Sequence, residues 1–502
     1  MTRAALQGWR TRPGLCLMHP RRGGPCIECL GQRLREAGFA LEGPLSPTPD
    51  AKLQALLAAQ DPGPGWLAPV LRLAGEQAFV HALLAVPGCP GCGGVPQDRQ
   101  AAPVPPAALR DPLLGIVSGL QRTTPGVDAG ALCHGLSGRV HLPRLQDGVG
   151  VRGHGFAPEA AAQGLLGESV ERYSALRPLL SRVRLARAGE LAPGECLGGA
   201  LFGLSDSQRH AAGLVRLDGR RRIGWVRGER LRDGAAVWVP AAVAYLSRAW
   251  RPDEPRFAPQ NSHGTAAHLS AAQATERALL ELWERRAMTR AWHAQDFGQS
   301  LGAAALSPSA RELAQRLQAT GVHWHLCLLD SPPQPAVVLA LLWQQEAPWY
   351  LIGSAARTSV AAAADGALLE AASGWQGLRR QPEALPRRPR LRVMDDAASH
   401  HKWHAGPQRS RAVIDAIRRG TRPQGAPPDD AETAPLLALM AHQAPDAVVV
   451  TLQSPDVAAA GFHVHRVLAP RWPLFNFGSL GTAACDLADA GWPAAPAPHP
   501  YR

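Results

Sequence analysis

Two short runs of this 502-residue chain set acidic and basic side chains at helical spacing. GESVERYS at 167–174 carries Glu168, Glu171 and Arg172, and LELWERRA at 280–287 carries Glu281, Glu284 and Arg285. Spacing i, i+3 puts both carboxylates of a pair on one helix face, with the arginine beside them. Four carboxylates brought together repel one another unless arginine or a cation neutralises them. Mg²⁺, which takes a few carboxylates together with phosphate oxygens, suits such a set. A plain ion-pair ladder suits the same residue types. On residue types alone both readings stand.

The cysteines make a second pattern. Cys26 and Cys29 in GGPCIECLGQRLREAG, and Cys89 and Cys92 in PGCPGCGG, form two Cys-x-x-Cys knuckles. Four thiolates can close a tetrahedron around a structural Zn²⁺ and leave no position for water, so a metal here would staple rather than catalyse. The scattered Cys16, Cys133, Cys196, Cys327 and Cys485 read as small buried residues.

The elements that must position these groups are legible in outline. In HGFAPEAAAQGLLGESVERYS, Pro158 and Glu159 suit a helix first turn. In NSHGTAAHLSAAQATERALLELWERR a second helix starts at Ser270, with Gln273 at capping-box spacing. Its stripe of Arg277, Glu281, Glu284 and Met288 interrupts an otherwise largely apolar circumference, which a solvated ladder would not require. Helical runs are expected at 158–176, 270–292, 308–319, 359–377 and 409–420, in AKLQALLAAQ and around VLRLAGEQAFVHALL. Strands are expected in DPLLGIVSGL, GAAVWVPAAVAYL, VHWHLCLLD, AVVLALLW and DAVVVTLQ, and a charged hairpin in RLDGRRRIGWVRGERLR. VPQDRQAAPVPPAALRDP reads as a linker. The expected division is a small zinc-stapled unit at 1–110 and an α/β (α+β) domain at 111–502.

Composition narrows the function classes. The net charge is +12, but Lys occurs only as Lys52 and Lys402, and the arginines form no long basic stripe, so nucleic-acid binding is the weaker reading. The N-terminus lacks the apolar centre of a secretory signal and no apolar run reaches a membrane span, which points to the cytoplasm. Two lysines cannot supply a Gly-x-x-x-x-Gly-Lys-Ser/Thr loop, and GVGVRG at 148–153 is a lone glycine match. His400, His401 and His404 cluster in SHHKWHA without matched ligands. Pro496, Pro498 and Pro500 make the terminal WPAAPAPHPYR an extended, pre-ordered tail suited to lying in a groove.

Together these pieces resemble the YcaO family, in particular its azoline-forming cyclodehydratases. The two Glu-x-x-Glu-Arg helices with their preceding turns, and the Pro-x-Pro-x-Pro tail, carry the resemblance most specifically. AAAADGALLEAASGWQGLRR is similar to a third family helix, with Glu370 at its acidic position. SHHKWHA is similar to a further family segment, and LQSPDVAAAGFHVHRVLAP places Arg466 at the family arginine. The knuckles resemble the N-terminal part of one branch.

The resemblance implies ATP and Mg²⁺ held without a Walker loop. Glu168, Glu171, Glu281, Glu284 and Glu370 would serve the metal–nucleotide site, with Asn261 and Ser262 in the turn beside it. Arg172, Arg285 and Arg466 would neutralise phosphate, and the prolines of the tail would order the active site. Its implied reaction is cyclodehydration of Cys, Ser or Thr in a ribosomally made precursor peptide, through phosphorylation of the amide oxygen. The implied partners are that peptide, a separate leader-binding protein resembling ubiquitin-activating enzymes, a flavin-dependent azoline dehydrogenase and a second copy of the chain. The chain departs from the pattern at His154 (a lysine in the family), Gly164 (a serine), His263 (an asparagine) and Arg286 (an aspartate). A non-catalytic scaffold for peptide and partner enzyme, or a thioamide- or amidine-forming enzyme, are the competing expectations.

Overall fold

The computed structural model describes residues 6–11, 14–18, 24–48, 51–59, 65–74, 77–94, 103–122, 132–142, 145–191, 196–197, 204–246, 254–345, 350–380, 404, 406–425, 434–476 and 499–501. The chain is a mixed α/β protein. Strands β1 (Leu6–Thr11), β2 (Gly14–Met18), β3 (Leu41–Thr48), β4 (Leu67–Ala74) and β5 (Gln77–Leu84) form an antiparallel sheet in the order β3-β1-β2-β4-β5, accompanied by helices α1 (Ile27–Glu36) and α2 (Ala51–Ala59). The stretch VLRLAGEQAFVHALL, expected to be helical, is instead the β4–β5 hairpin, paired from Leu67↔Leu84 to Ala74↔Gln77. Its leucines and alanines favour a helix locally, but sheet burial of Val70, Leu71, Leu83 and Leu84 outweighs that preference.

Next comes a meander of β6 (Val117–Arg122), β7 (His134–Leu142) and β8 (Leu145–Gly155), leading into α3 (Pro158–Leu176). The strand expected in DPLLGIVSGL begins only at Val117, because Asp111 caps the preceding turn: its carboxylate accepts the N–H groups of Leu113, Leu114 and, across the gap, Ala82 of β5. GVGVRG lies within β8 and makes no phosphate loop.

A larger sheet, ordered β11-β10-β17-β18-β12 with β9 beside β10, gathers strands distant in sequence. These are β9 (Arg184–Ala186), β10 (Ile223–Arg230), β11 (Ala236–Pro240), β12 (Thr265–His268), β17 (Val448–Thr451) and β18 (His463–Leu468), with short helices α4 (Asp206–Ala211) and α5 (Ala241–Ala244) between the first four. The expected charged hairpin is thus shifted: its first strand starts at Ile223 and its partner is β11. GAAVWVPAAVAYL is strand only to Pro240, after which Ala241–Ala244 turn into a buried helix.

The remaining sheet is antiparallel β13-β14-β15-β16, built from β13 (Gln299–Leu301), β14 (His323–Asp330), β15 (Ala336–Trp343) and β16 (Tyr350–Arg357). Helix α6 (Ala271–Ala294) packs on one face, and α7 (Pro308–Ala319) and α8 (Val360–Arg380) on the other. Buried Ala363, Ala364, Ala367 and Ala371 let α8 approach β16 so closely that a Cβ on Gly353 would stand 2.3 Å from the Ala367 carbonyl. Gly153 makes the same close approach possible between β8 and α3, where a Cβ would meet the Ala161 carbonyl at 2.0 Å. Helices α9 (Pro407–Arg419), α10 (Leu436–Gln443) and α11 (Pro455–Ala459) complete the described fold. Among the described residues no helix is long and apolar enough to cross a membrane.

Candidate active site

Three strand–turn–helix units position the acidic residues. β8 leads to α3, β12 to α6 and β16 to α8, each across two residues (156–157, 269–270 and 358–359). Each helix carries a glutamate ten positions beyond its first residue: Glu168 after Pro158, Glu281 after Ala271 and Glu370 after Val360. Glu168 accepts the backbone N–H of Arg152 at 2.8 Å, and Glu370 that of Ser354 at 2.6 Å, each 16 residues upstream in its own unit. The repeat is therefore one of geometry as well as of sequence.

In the first two units the arginine folds back on its own pair. Arg172 stands 3.7 Å from Glu168 and 3.5 Å from Glu171; Arg285 stands 3.6 Å from Glu281 and 3.4 Å from Glu284. Glu284 is the most deeply fixed, accepting the Ser354 hydroxyl at 2.7 Å and the Ala356 N–H at 3.2 Å. Burial pushes Glu171 up to about 8, against the pull of Arg172 and with the help of Glu281 and Glu168. Burial also raises Glu281, and burial with the Glu284 charge raises Glu370 to about 7, although Glu370 borders open space. Burial is the main cause of these raised values and repulsion between the carboxylates adds to it; a bound cation would favour the charged forms.

These carboxylates do not converge on one point. Among the described residues, the only set of three or more metal-type ligand atoms within 4.8 Å of one another is that of the cysteines. Glu281 and Glu284 instead border a cleft of about 430 Å³, lined also by Gln273, Glu276, Arg277 and Arg357. Spread carboxylates with nearby arginines suit Mg²⁺ bound jointly with phosphate oxygens better than a closed ion cage. Gln273 lines this cleft, and Ser270 makes no side-chain cap bond, so the expected capping box is not formed.

Arg466, in β18, is buried opposite β12 and keeps its charge at neutral pH, although burial lowers it to about 10. It donates to the Asn261 carbonyl at 2.7 Å and the Asn261 side chain at 3.3 Å. Asn261 also accepts the His263 N–H and donates to Asn476 at 3.0 Å. Its amide is thus committed to holding Arg466, while the Ser262 carbonyl accepts the Thr265 N–H.

Pro496, Pro498, His400 and His401 lie outside the described residues; His499, Pro500 and Tyr501 are described and buried. The His499 ring stands 3.0 Å from the Asn476 carbonyl, His404 reaches the His499 carbonyl at 3.1 Å, and the Tyr501 hydroxyl donates to the Met288 carbonyl at 3.0 Å. The chain end is thereby seated against α6 and one residue removed from Asn261.

The four departures fall in different places. His154 is the penultimate residue of β8, with its charge disfavoured by burial and by Arg357, so a cation already stands near the position of the missing lysine. A Cβ on Gly164 would meet nothing nearer than 3.6 Å. His263 is buried edge-on to Phe475 and neutral, held well below its usual range by burial and by Arg285. Arg286 lies over Trp472, 4.9 Å from the ring centre, and points to Gln443 rather than into the cleft.

At the other end of the chain, Cys26, Cys29, Cys89 and Cys92 come together as their spacing suggested, with Sγ···Sγ distances of 3.6 Å (Cys26–Cys89) and 3.4 Å (Cys29–Cys92). Tetrahedral Zn–S bonds of about 2.3 Å require sulfur separations of about 3.8 Å. The Val86 N–H donates to Cys29 Sγ at 3.4 Å, and a Cβ on Gly91 would crowd Cys26 Sγ at 3.0 Å, so the knuckle needs a glycine there.

Sequence reasoning missed Ser354, Arg357 and Asn476. Asn476 carries no such signal; for the other two it is positional, since Ser354 and Arg357 lie on the strand preceding Glu370, and Ser354 stands where Arg152 stands before Glu168.

A family model described as YcaO cyclodehydratase, ATP- and Mg²⁺-binding, matches residues 152–472. No curated protein matches the chain. Among solved structures, a heterocyclase in complex with substrate and cofactor is similar at a TM-score of 0.74 and 18% identity, over 97% of this chain and 76% of that one. The heterocyclase TruD gives 0.63 and 17% over 98% and 74%. YcaO from Methanopyrus kandleri bound with AMPPCP and Mg²⁺ gives 0.51 and 19% over 71% and 86%. At these identities the likeness is one of fold.

Proposed function

The chain belongs to the YcaO family, whose model spans well over half of it, and we propose that it is an ATP-dependent cyclodehydratase forming azolines in a ribosomally made peptide. The observation that carries this reading is the set of three equally built strand–turn–helix units bearing Glu168, Glu171, Glu281, Glu284 and Glu370, with Arg172 and Arg285 against their own glutamates, Arg466 charged and buried, and Glu281 and Glu284 lining a cleft.

In the proposed reaction the side chain of a substrate Cys, Ser or Thr gives up its thiol or hydroxyl proton to solvent and attacks the preceding carbonyl carbon. The resulting oxyanion takes the γ-phosphoryl group of ATP, releasing ADP. Departure of phosphate with the amide proton then leaves the C=N bond of the azoline. Glu168, Glu171, Glu281, Glu284 and Glu370 would hold Mg²⁺ together with the nucleotide, and the cation would supply charge neutralisation for phosphoryl transfer. The chain's own part is electrostatic and positional. Glu171 and Glu281, whose proton affinity is raised by burial, would offer charge to the cation, and Glu284 is held in one orientation by Ser354 and Ala356. Arg172, Arg285 and Arg466 stand ready, desolvated and prepositioned, for charge developing on the transferred group. Asn261 and Asn476 fix Arg466, and the seated tail fixes Asn476.

The tetrad fits Zn²⁺ by donor type, number and separation, and would serve as a structural staple of the unit at 1–110. Peptide and leader-binding protein are the proposed partners. The competing reading, a scaffold without catalysis, draws on the loss of the turn lysine at His154; Arg357 beside it argues for retained nucleotide binding. Incubation with ATP, Mg²⁺, partner protein and precursor peptide separates the two: one water mass lost per ring together with phosphate release supports the enzyme. No nucleotide binding by calorimetry, and no effect of Glu281→Ala, would overturn it.

A further inference from the structure

Helix α1 connects the thiolate tetrad with the helix bearing the first glutamate pair. Cys26 is its N-cap and Cys29 lies in its first turn. Arg33 and Glu36 follow Cys29 at i+4 and i+7, so one face carries sulfur at one end and two charges at the other, about 10 Å along the axis. Trp9 holds the helix in place: its indole N–H donates to the Ile27 carbonyl, and a Cβ on Gly31 would meet its ring at 2.8 Å.

Arg33 and Glu36 are buried and reach beyond their own sheet. Arg33 donates to Asp456 at 3.2 Å and to Glu36 at 3.3 Å, and Arg177 donates to Glu36 at 2.9 Å. The Tyr173 hydroxyl donates to Asp456 at 2.8 Å, and both guanidinium groups stand over the Tyr173 ring at 5.5 and 5.3 Å. Two cations and two carboxylates thus close a neutral buried set. Tyr173 directly follows Arg172, and Arg177 is the C-cap of α3. A buried set of this kind contributes little net stability, and fixing relative position is the role it serves best.

We propose that Arg33 and Glu36 are positioning residues for the Glu168 and Glu171 carboxylates of α3: the metal-closed tetrad fixes the rotation of α1, and α1 fixes α3 through Asp456, Tyr173 and Arg177. This inference rests on the reading of α3 as a nucleotide-binding helix. Coupling of this kind is reciprocal, so nucleotide in the cleft tightens Zn²⁺ at the tetrad by the same factor that Zn²⁺ tightens nucleotide.

The test uses the full chain, with Mg²⁺–AMPPCP as the probe and hydrogen exchange at residues 165–177 as an independent readout. Glu36→Gln, Asp456→Asn and chelation of the metal are each expected to weaken the probe about tenfold and to speed exchange at 165–177. Arg33→Lys, which keeps the charge, should recover part of the affinity lost in Arg33→Met. AMPPCP should raise the affinity of the tetrad for Zn²⁺, titrated against a chromophoric chelator, by the same factor. Unchanged exchange at 165–177 on metal removal, or Zn²⁺ affinity indifferent to AMPPCP that does bind, would overturn the proposal. If a variant fails to fold by circular dichroism, the chelated wild type decides. If the wild type binds no AMPPCP, the proposed function fails, and exchange at 165–177 still reads the coupling.

Discussion

Glu284 and Ser354 share a hydrogen bond of 2.7 Å across 70 residues of sequence, the hydroxyl donating to the carboxylate. A strand of one unit thus orients the glutamate of another, with the Ala356 N–H on the second oxygen. Ser354→Ala should weaken Mg²⁺–nucleotide about tenfold, as loss of a partner behind a metal-binding group commonly does. Calorimetry with Ser354→Ala and Ser354→Thr checks this: threonine keeps the hydroxyl and should retain most of the affinity.

Glu171 gives a pH signature. Burial raises its folded value to about 8, so the folded chain holds a proton that the unfolded chain releases above about 4.3. Stability from this group is therefore lost as pH rises from about 4 to about 8. Glu171→Gln should stabilise the nucleotide-free protein at pH 8, on the order of 2 kcal/mol, with little change at pH 4.5, while lowering ATP turnover severely. Denaturant melts at the two pH values, beside a phosphate-release assay, test the pair of effects.

Tyr501 is 1% exposed and its hydroxyl meets the Met288 carbonyl. Tyr501→Ala should cost about 3 kcal/mol, and Tyr501→Phe about 1 kcal/mol. His499→Ala should lower kcat more than it lowers the melting temperature, because His499 acts on Asn476 and, through Asn261, on Arg466. Steady-state kinetics and calorimetric melts of the same variants separate the two roles.

Arg286 departs from the family pattern but lies over Trp472, away from the cleft. Arg286→Ala should cost about 1 kcal/mol of stability and leave nucleotide affinity unchanged. An affinity loss above about threefold would show that Arg286 faces phosphate after all.

What the sequence revealed follows from which interactions are local. The Glu-x-x-Glu-Arg helices were legible because i, i+3 spacing is a property of one helix, and the knuckles because thiolate pairs are close in sequence. β15 was legible as a continuous apolar run, and β14 through its shorter apolar stretch Leu326–Leu329. The β4–β5 hairpin was misread because its residue types favour a helix until a neighbouring strand supplies partners. Glu370 stood out only through family resemblance, since its single acidic position lacks the Glu-Arg echo. Ser354 and Asn476 carry no local signal, as each acquires its role from a residue far away in the chain.

The two-residue turns at 156–157, 269–270 and 358–359 carry a further consequence. A residue inserted between any of these turns and its glutamate would swing that carboxylate about 100° around the helix axis, away from the Arg152 N–H for Glu168, the Ser354 N–H for Glu370 and the cleft for Glu281. These three spans are thus intolerant of changes in length, even where a substitution would be harmless. Between strand end and carboxylate, the count of residues is itself part of the proposed site.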